Sequence, residues 1–381
     1  VGEGADRGGD SGGESAVRRV TVIGTGLIGT SIALALRARD VDVALSDPDA
    51  DSLRLACDLG AGRPLSETDG RPADVAVVAA PPAAIPAVLR RAQDRGLAHV
   101  YTDAASVKAS VLAEAERLGC DTAAFVPGHP MAGREKHGPG AARADLFLGR
   151  SWALCPTGKA GPETVAAVAE LARMCGATPR VVDAAAHDRA VALISHAPHV
   201  AASAVAARLV DGDDTALALA GQGVRDVTRV AAGDPAMWME ILTHNAAPVA
   251  EVLAAISDDL AAAAGALGAL GRGGNAGPVS APVRDLLTRG RTGQGRLPGK
   301  HGVVRRPGYT VVPVVIPDEP GALGRLFASA SEAGVNIEDV RIEHTPGLPL
   351  GIAQLSVLPS AVETLSEALA GQGWSVHHPE A

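Results

Sequence analysis

The sequence predicts three folded units in series: a doubly wound α/β domain, an all-helical domain and a small α+β domain at the C-terminal end. Three observations carry this. Residues 18–154 alternate short apolar runs with helical stretches, residues 155–270 are Ala-, Leu- and Val-rich at helical spacing, and residues 309–381 read β-α-β-β-α-β. A chain of 381 residues has room for two or three domains, since single cores stop growing near ~250–300 residues.

Residues 1–17 are rich in Gly, Asp, Glu and Ser and have little to bury, so a disordered tail is expected. Val20–Ile23 then reads as a strand ended by a glycine loop, Ser31–Arg39 as a helix and Val41–Leu45 as the next strand. The run Asp74–Ala80 is continuously apolar after its first residue, as in a strand buried on both faces of a parallel sheet. His99–Thr102 and Ala124–Pro127 are further strands. Pro162–Met174, Ala185–Val210, Asp213–Ala232 and Pro235–Leu267 are expected as long helices. Glycines and prolines in residues 271–308 mark a linker. Beyond it come strands at Tyr309–Ile316, Val335–Glu343, Ile352–Val357 and Trp374–His377, with helices at Ala322–Ala333 and Ser360–Ala370.

The net charge of −9 argues against a nucleic-acid surface, which needs clustered cations. An anionic ligand must instead be met by a few local ones. Cys57, Cys120, Cys155 and Cys175 form no CxxC pair and read as buried thiols in a reducing compartment. No run of ~18 apolar residues or signal segment is evident, so a cytoplasmic protein without a membrane partner is expected.

Gly24-Thr25-Gly26-Leu27-Ile28-Gly29 is GxGxxG between a strand and a helix. The first glycine permits the turn, the second lets backbone approach a pyrophosphate and the third lets helix pack on strand, with the helix dipole facing the anion. This is the Rossmann signature of a dinucleotide site. Asp47 ends the second strand, 18 residues past Gly29, where an acid accepts from both ribose hydroxyls of NAD and repels the 2′-phosphate of NADP. NAD is the expected cofactor.

Two motifs follow strands in the second half of this domain, where such sheets place ligands: Thr102–Lys108 (TDAASVK) and Gly128–Gly133 (GHPMAG). His129, held between Gly128 and Pro130, suits a proton-transfer role near neutral pH. Taken singly, Ser106 reads as a helix N-cap and Lys108 as a solvated first-turn residue. The helical half adds His187-Asp188-Arg189, Ser195–His199, Arg225–Arg229 and Gly233–Trp238. His196 and His199 share a helix face, but no cysteine or HExxH pattern accompanies them and no metal is expected.

Five motifs in order, GTGLIGTS, TDAASVK, GHPMAGRE, HDRAVALISHAPH and RDVTRVAAGDPAMW, resemble the prephenate dehydrogenase family of tyrosine biosynthesis. The resemblance implies oxidative decarboxylation of prephenate to 4-hydroxyphenylpyruvate by an NAD-dependent homodimer, with the hydride leaving C4 and the ring carboxylate leaving as CO2. It implies that His129 accepts the C4 hydroxyl proton, that Ser106 orients this pair and that Arg229 binds a substrate carboxylate. Ser195, His196 and His199 match pocket-facing helix residues, and Glu135, Asp226 and Trp238 match pocket-edge positions. Arg134 departs from the small hydroxyl residue common after HPMAG. A cation there favours the keto acid prephenate over the ammonium-bearing arogenate, whose oxidation to tyrosine is the alternative.

Asp318–Leu323 (DEPGAL) and Gly334–Asp339 (GVNIED) resemble the ACT domain, which implies an amino-acid effector, expected to be tyrosine, at Pro320, Gly321, Ala322, Asn336 and Ile337. The β-hydroxyacid dehydrogenases join similar domains but use a lysine on the helical one, and none occurs here between Lys159 and Lys300. A non-catalytic NAD or amino-acid sensor is the reading from another class. It sits poorly with His129, Ser106 and Arg229 together.

Overall fold

A computed structural model describes residues 17–133, 137–272, 280–297, 309–344 and 349–377. They fall into two compact units, divided between Leu286 and Leu287.

The first unit opens with strands β1 (Arg19–Ile23), β2 (Asp42–Ser46), β3 (Arg63–Pro64), β4 (Ala73–Val78), β5 (Ala98–Asp103) and β6 (Phe125–Val126) in a parallel sheet of order β3-β2-β1-β4-β5-β6. This is the doubly wound Rossmann order. Its helices are α1 (Leu27–Arg37), α2 (Ala50–Asp58), α3 (Ile85–Asp94) and α4 (Ala109–Arg117). Val20, Val22, Val75 and Val77 are fully buried, as their unbroken apolar runs require. The carboxyl ends of β1, β4 and β5 lie side by side, which puts the glycine loop, Ala79 and the TDAASVK turn on one edge. Helix α1 begins at Leu27 rather than Ser31, because the last turn of the glycine motif is already helical.

A second sheet joins β7 (Gly128–Pro130), β8 (Ser151–Leu154) and β9 (Thr178–Val181), with β7 antiparallel and β9 parallel to β8. Between β8 and β9 runs α5 (Pro162–Met174), whose Val168 and Leu171 are fully buried in one cluster with Val20, Leu36 and Trp152. The α/β part therefore continues through Val181. A boundary after Leu154 mistakes α5, apolar at helical spacing, for the start of the helical part.

The helical part holds α6 (Ala184–Val191), a π-helical turn (Ala192–His196), α7 (Ala197–Ala207), α8 (Asp214–Ala218), α9 (Gln222–Thr228), α10 (Pro235–His244) and α11 (Ala246–Gly271). The stretch expected as one helix from Asp213 is broken at Ala220-Gly221, and the one from Pro235 turns at Asn245. Ala184–Asp211 and Ala246–Gly271 are long and apolar enough to cross a membrane by length and composition alone, contrary to the expectation of no such run. Leu193, Val205, Leu260 and Leu267 on these helices are exposed in the single chain. Within the expected linker, Ala281–Gln294 forms a helix (α12), because the glycine-dense stretches lie on either side of it and Pro282 sits in its first turn.

The second unit contains an antiparallel sheet of order β11-β12-β10-β13, formed by β10 (Thr310–Pro317), β11 (Asp339–His344), β12 (Leu350–Val357) and β13 (Ser375–Val376). Its helices, Ala322–Glu332 and Val362–Gly371, pack Leu326, Leu365 and Leu369 on Val312, Val314, Leu355 and Val357. The β-α-β-β-α-β order is as read. The strand expected from Val335 begins only at Asp339: Gly334 (φ +67°) ends the helix, and Val335 and Ile337 then pack on the core without pairing.

Candidate active site

The glycine loop is shaped by contacts that exclude any side chain. Gly24 has φ +105°, and a Cβ there would lie 2.2 Å from the Ala79 carbonyl oxygen; one on Gly29 would lie 1.9 Å from that of Gly24. A Cβ on Gly26 would meet nothing within 4 Å, so this glycine faces open space, and no side chain caps the helix that follows. These features fit a pyrophosphate. Asp47 has a structural task that spacing did not reveal. Its Oδ2 accepts from the Thr25 amide at 2.5 Å and the Thr25 hydroxyl at 2.9 Å, clamping the loop, while Oδ1 accepts from the Asp49 amide at 2.8 Å.

Beside the loop lies a cleft of about 790 Å³. Gly26, Leu27 and Ile28 form one wall, Ser106, His129 and Met131 another, and Ser195, His196, Met237 and Trp238 from the helical part a third. The strand pairing of Gly128–Pro130 with Trp152–Leu154 holds His129 by its backbone. Under this strand Lys108 is fully buried, its ammonium paired with Asp103 and donating to the Gly128 carbonyl at 2.6 Å. Lys108 is thus no solvated residue; the second sheet closes over it.

Behind His129 a polar chain crosses into the helical part. His129 Nδ1 lies 2.9 Å from His187 Nε2, and His187 Nδ1 lies 2.8 Å from Asp188 Oδ1. Asp188 also accepts from the amides of Lys108 (2.9 Å) and Ala109 (2.8 Å), so α4 is capped by a carboxylate from α6 rather than by Ser106. Ser106 is left facing the cleft. Desolvation, helped by the charge of Lys108, holds His129 well below the usual imidazole range, so it is neutral at neutral pH.

The π turn bulges the long helix at Ala192–His196, bringing Ile194, Ser195 and His196 onto the cleft wall. Burial pushes His196 down to about 4. Its Nδ1 lies 3.0 Å from Asn245 Nδ2, and the same Nδ2 donates to the Asp188 carbonyl at 2.9 Å. His199 stacks on Trp238 with centroids 3.6 Å apart, and both rings press on Gly233, where a Cβ would lie 2.5 Å from Trp238 Nε1.

Family models match most of this unit. One described as prephenate dehydrogenase, nucleotide-binding domain, matches residues 32–181, and one described as prephenate dehydrogenase, dimerization domain, matches residues 183–268. The probable prephenate dehydrogenase NovF of Streptomyces niveus is 39% identical over 360 residues, 94% of this chain and 99% of that protein. This chain belongs to the prephenate dehydrogenase family. It is accordingly an NAD-dependent dehydrogenase. The cyclohexadienyl dehydrogenase of Zymomonas mobilis is 31% identical, covering 62% of this chain and 84% of its own length. A solved prephenate dehydrogenase from A. aeolicus, in complex with hydroxyphenyl propionate and NAD+, shares the fold with a TM-score of 0.63 at 23% identity, over 74% of this chain and 98% of that one.

Within this prephenate dehydrogenase fold the cleft unites Gly26, Leu27, Ile28, Ser106, His129, Ser195, His196 and Trp238. Gly24, Thr25, Gly29 and Asp47 support its loop from beneath. His199 does not line the cleft but backs Trp238. Asp226 lies on α9 and accepts from Gln222 at 2.8 Å, and Arg229 begins a 3-10 turn packed against α7; neither lines the cleft of the single chain. Arg134 and Glu135 lie outside the described residues, between Gly133 and His137, which do line it. The sequence reading missed Met237, Ile241 and Glu240, whose Oε1 accepts from the Ala83 amide at 3.0 Å, and gave His187, Asp188 and Lys108 no part in the site. The signal for the last three was their place inside recognised motifs. In the second unit, Gly321 (φ +88°) caps its helix, Ala322 is buried, Pro320 is exposed, Ile337 packs on the core, and Asn336 donates to Glu338 at 2.9 Å.

Proposed function

We propose that the chain oxidises prephenate to 4-hydroxyphenylpyruvate and CO2, with His129 as the base. The observation that carries this is a partly buried, neutral histidine on the wall of the cleft that the glycine loop and the Ser195–His196 turn also line. Gly24–Gly29 would hold the cofactor pyrophosphate and Asp47 its ribose. Bound NAD supplies the hydride acceptor. His129 takes the C4 hydroxyl proton, Ser106 orients the hydroxyl, and His196 and Ser195 hold the substrate from the opposite wall. The apolar walls of Leu27, Ile28, Met131 and Met237 exclude water around the leaving hydride.

No lysine or arginine lines the cleft among the described residues. The substrate carboxylate is assigned to Arg134, which follows the cleft-lining Gly133 in sequence, and to Arg229, which lies off the cleft in the single chain. With an arginine rather than a small hydroxyl residue after HPMAG, prephenate is favoured over arogenate. Glu240 supports arogenate as the second reading, since it puts a carboxylate on the wall. Comparing kcat/KM for the two substrates decides: the expected preference is for prephenate, and a strong arogenate preference reverses the assignment.

The working form is a homodimer in which the apolar faces of α7 and α11 are covered by a second copy; the dimerization model over residues 183–268 and exposed Leu260 and Leu267 support this. The second unit is an ACT-like sensor, with tyrosine held at Pro320, Gly321, Ala322, Asn336 and Ile337. The four-stranded antiparallel sheet with two helices and the left-handed Gly321 turn support that reading. The compartment of action is the cytoplasm, a reading that membership of a biosynthetic enzyme family supports.

A further inference from the structure

The chain of contacts behind His129 has a defined polarity. Asp188 is met by three donors or potential donors: the amides of Lys108 and Ala109 and the His187 ring. Burial raises its carboxyl, but the bond from His187 and the two amides outweigh this and leave it below the usual carboxylate range. An ionised carboxylate only accepts, so a neutral His187 carries its proton on Nδ1 and offers a bare Nε2. His129, 2.9 Å away, must then carry its proton on Nδ1. We propose that His187 and Asp188 are positioning residues that lock His129 in the Nδ1–H form, leaving Nε2 bare toward the cleft. This rests on reading His129 as the base. An imidazole free in water favours the opposite tautomer, with the proton on Nε2, which could not accept from a substrate hydroxyl.

Asn245 sets the other histidine the opposite way. Its amide nitrogen donates to the Asp188 carbonyl, so it also donates to His196 Nδ1, and His196 presents an N–H from Nε2. One neutral imidazole accepts and its neighbour donates. The groups facing His129 are Lys108, His187 and His196; Asp103 balances Lys108, and Asp188 stands behind His187.

Ring-nitrogen NMR of histidine-labelled wild-type enzyme at neutral pH reads the tautomer without reference to activity. The expected spectrum shows His129 protonated on Nδ1 and bare on Nε2; the reverse overturns the proposal. Kinetics add the second arm. His187→Phe removes the acceptor, and Asp188→Asn lets an amide N–H reverse the chain. Each should lower kcat on the order of 10²- to 10⁴-fold with KM for NAD nearly unchanged. His187→Gln, which restores an acceptor, should recover much of that loss. Wild-type kcat in His187→Phe, with an unaltered His129 spectrum, overturns the positioning role while leaving His129 as the base. A wild-type enzyme inactive on both substrates defeats the proposed function instead, and the tautomer spectrum still decides this inference. If His187→Phe does not fold, the wild-type spectrum and His187→Gln carry the test.

Discussion

Replacing Lys108 by methionine removes the ammonium that holds both Asp103 and the Gly128 carbonyl. Asp103 is fully buried, and its Oδ2 already lacks a partner, so the substitution strands a carboxylate. Breaking a buried pair in this way costs about 3–5 kcal/mol. Lys108→Met is therefore expected to lower the unfolding free energy by that amount in denaturant titrations, and Asp103→Asn/Lys108→Met to recover part of it. The histidines make a second residue-scale prediction. His196 sits at about 4 when folded, and His129 is also depressed, against about 6.5 for a free imidazole. As pH falls below about 6.5 the unfolded chain takes up protons that the folded chain refuses, so stability present above that pH is lost on acidification. Tm should be level above pH ~7 and fall toward pH ~5, more gently in His196→Asn. A flat profile contradicts the burial of neutral imidazoles.

At the scale of elements, α4 and α6 are locked together by Asp188, and the turn at Asn245 between α10 and α11 is tied to α6 through the Asp188 carbonyl. Trp238 on α10 is braced by His199 on α7 across Gly233. Gly233→Ala forces the Trp238 ring away, since its Cβ would lie 2.5 Å from Nε1. The expected result is a several-fold higher KM for substrate with KM for NAD unchanged; a normal substrate KM removes Trp238 from the wall. These locks explain what the sequence could and could not reveal. The parallel strands and the glycine loop were legible because apolar runs and glycine spacing are local signals. Lys108 was misread because its burial is supplied by a sheet that begins twenty residues later. The same holds for α5, whose helical periodicity was plain but whose packing partner, the Val20 face of the first sheet, was not. The breaks at Ala220-Gly221 and Asn245 were hidden in Ala-rich helical texture.

For the whole molecule, the apolar surface of α7 and α11 needs a cover. Leu260→Glu with Leu267→Glu places charges on that face and should convert the proposed dimer to monomer in sedimentation velocity. An unchanged dimer would place the interface elsewhere. The second unit has its own core around Leu326 and Leu365, so truncation before Tyr309 should leave NAD reduction intact and abolish inhibition by tyrosine. Inhibition that persists would locate the effector in the cleft. Above all, this fold is proposed to oxidise prephenate with His129 as the base. Steady-state NADH formation from prephenate by the wild type and His129→Asn tests it most directly. The expected result is turnover by the wild type and a kcat lower by about 10²- to 10⁴-fold in the variant, with NAD affinity unchanged. Turnover by His129→Asn at the wild-type rate, or none by the wild type, would contradict it.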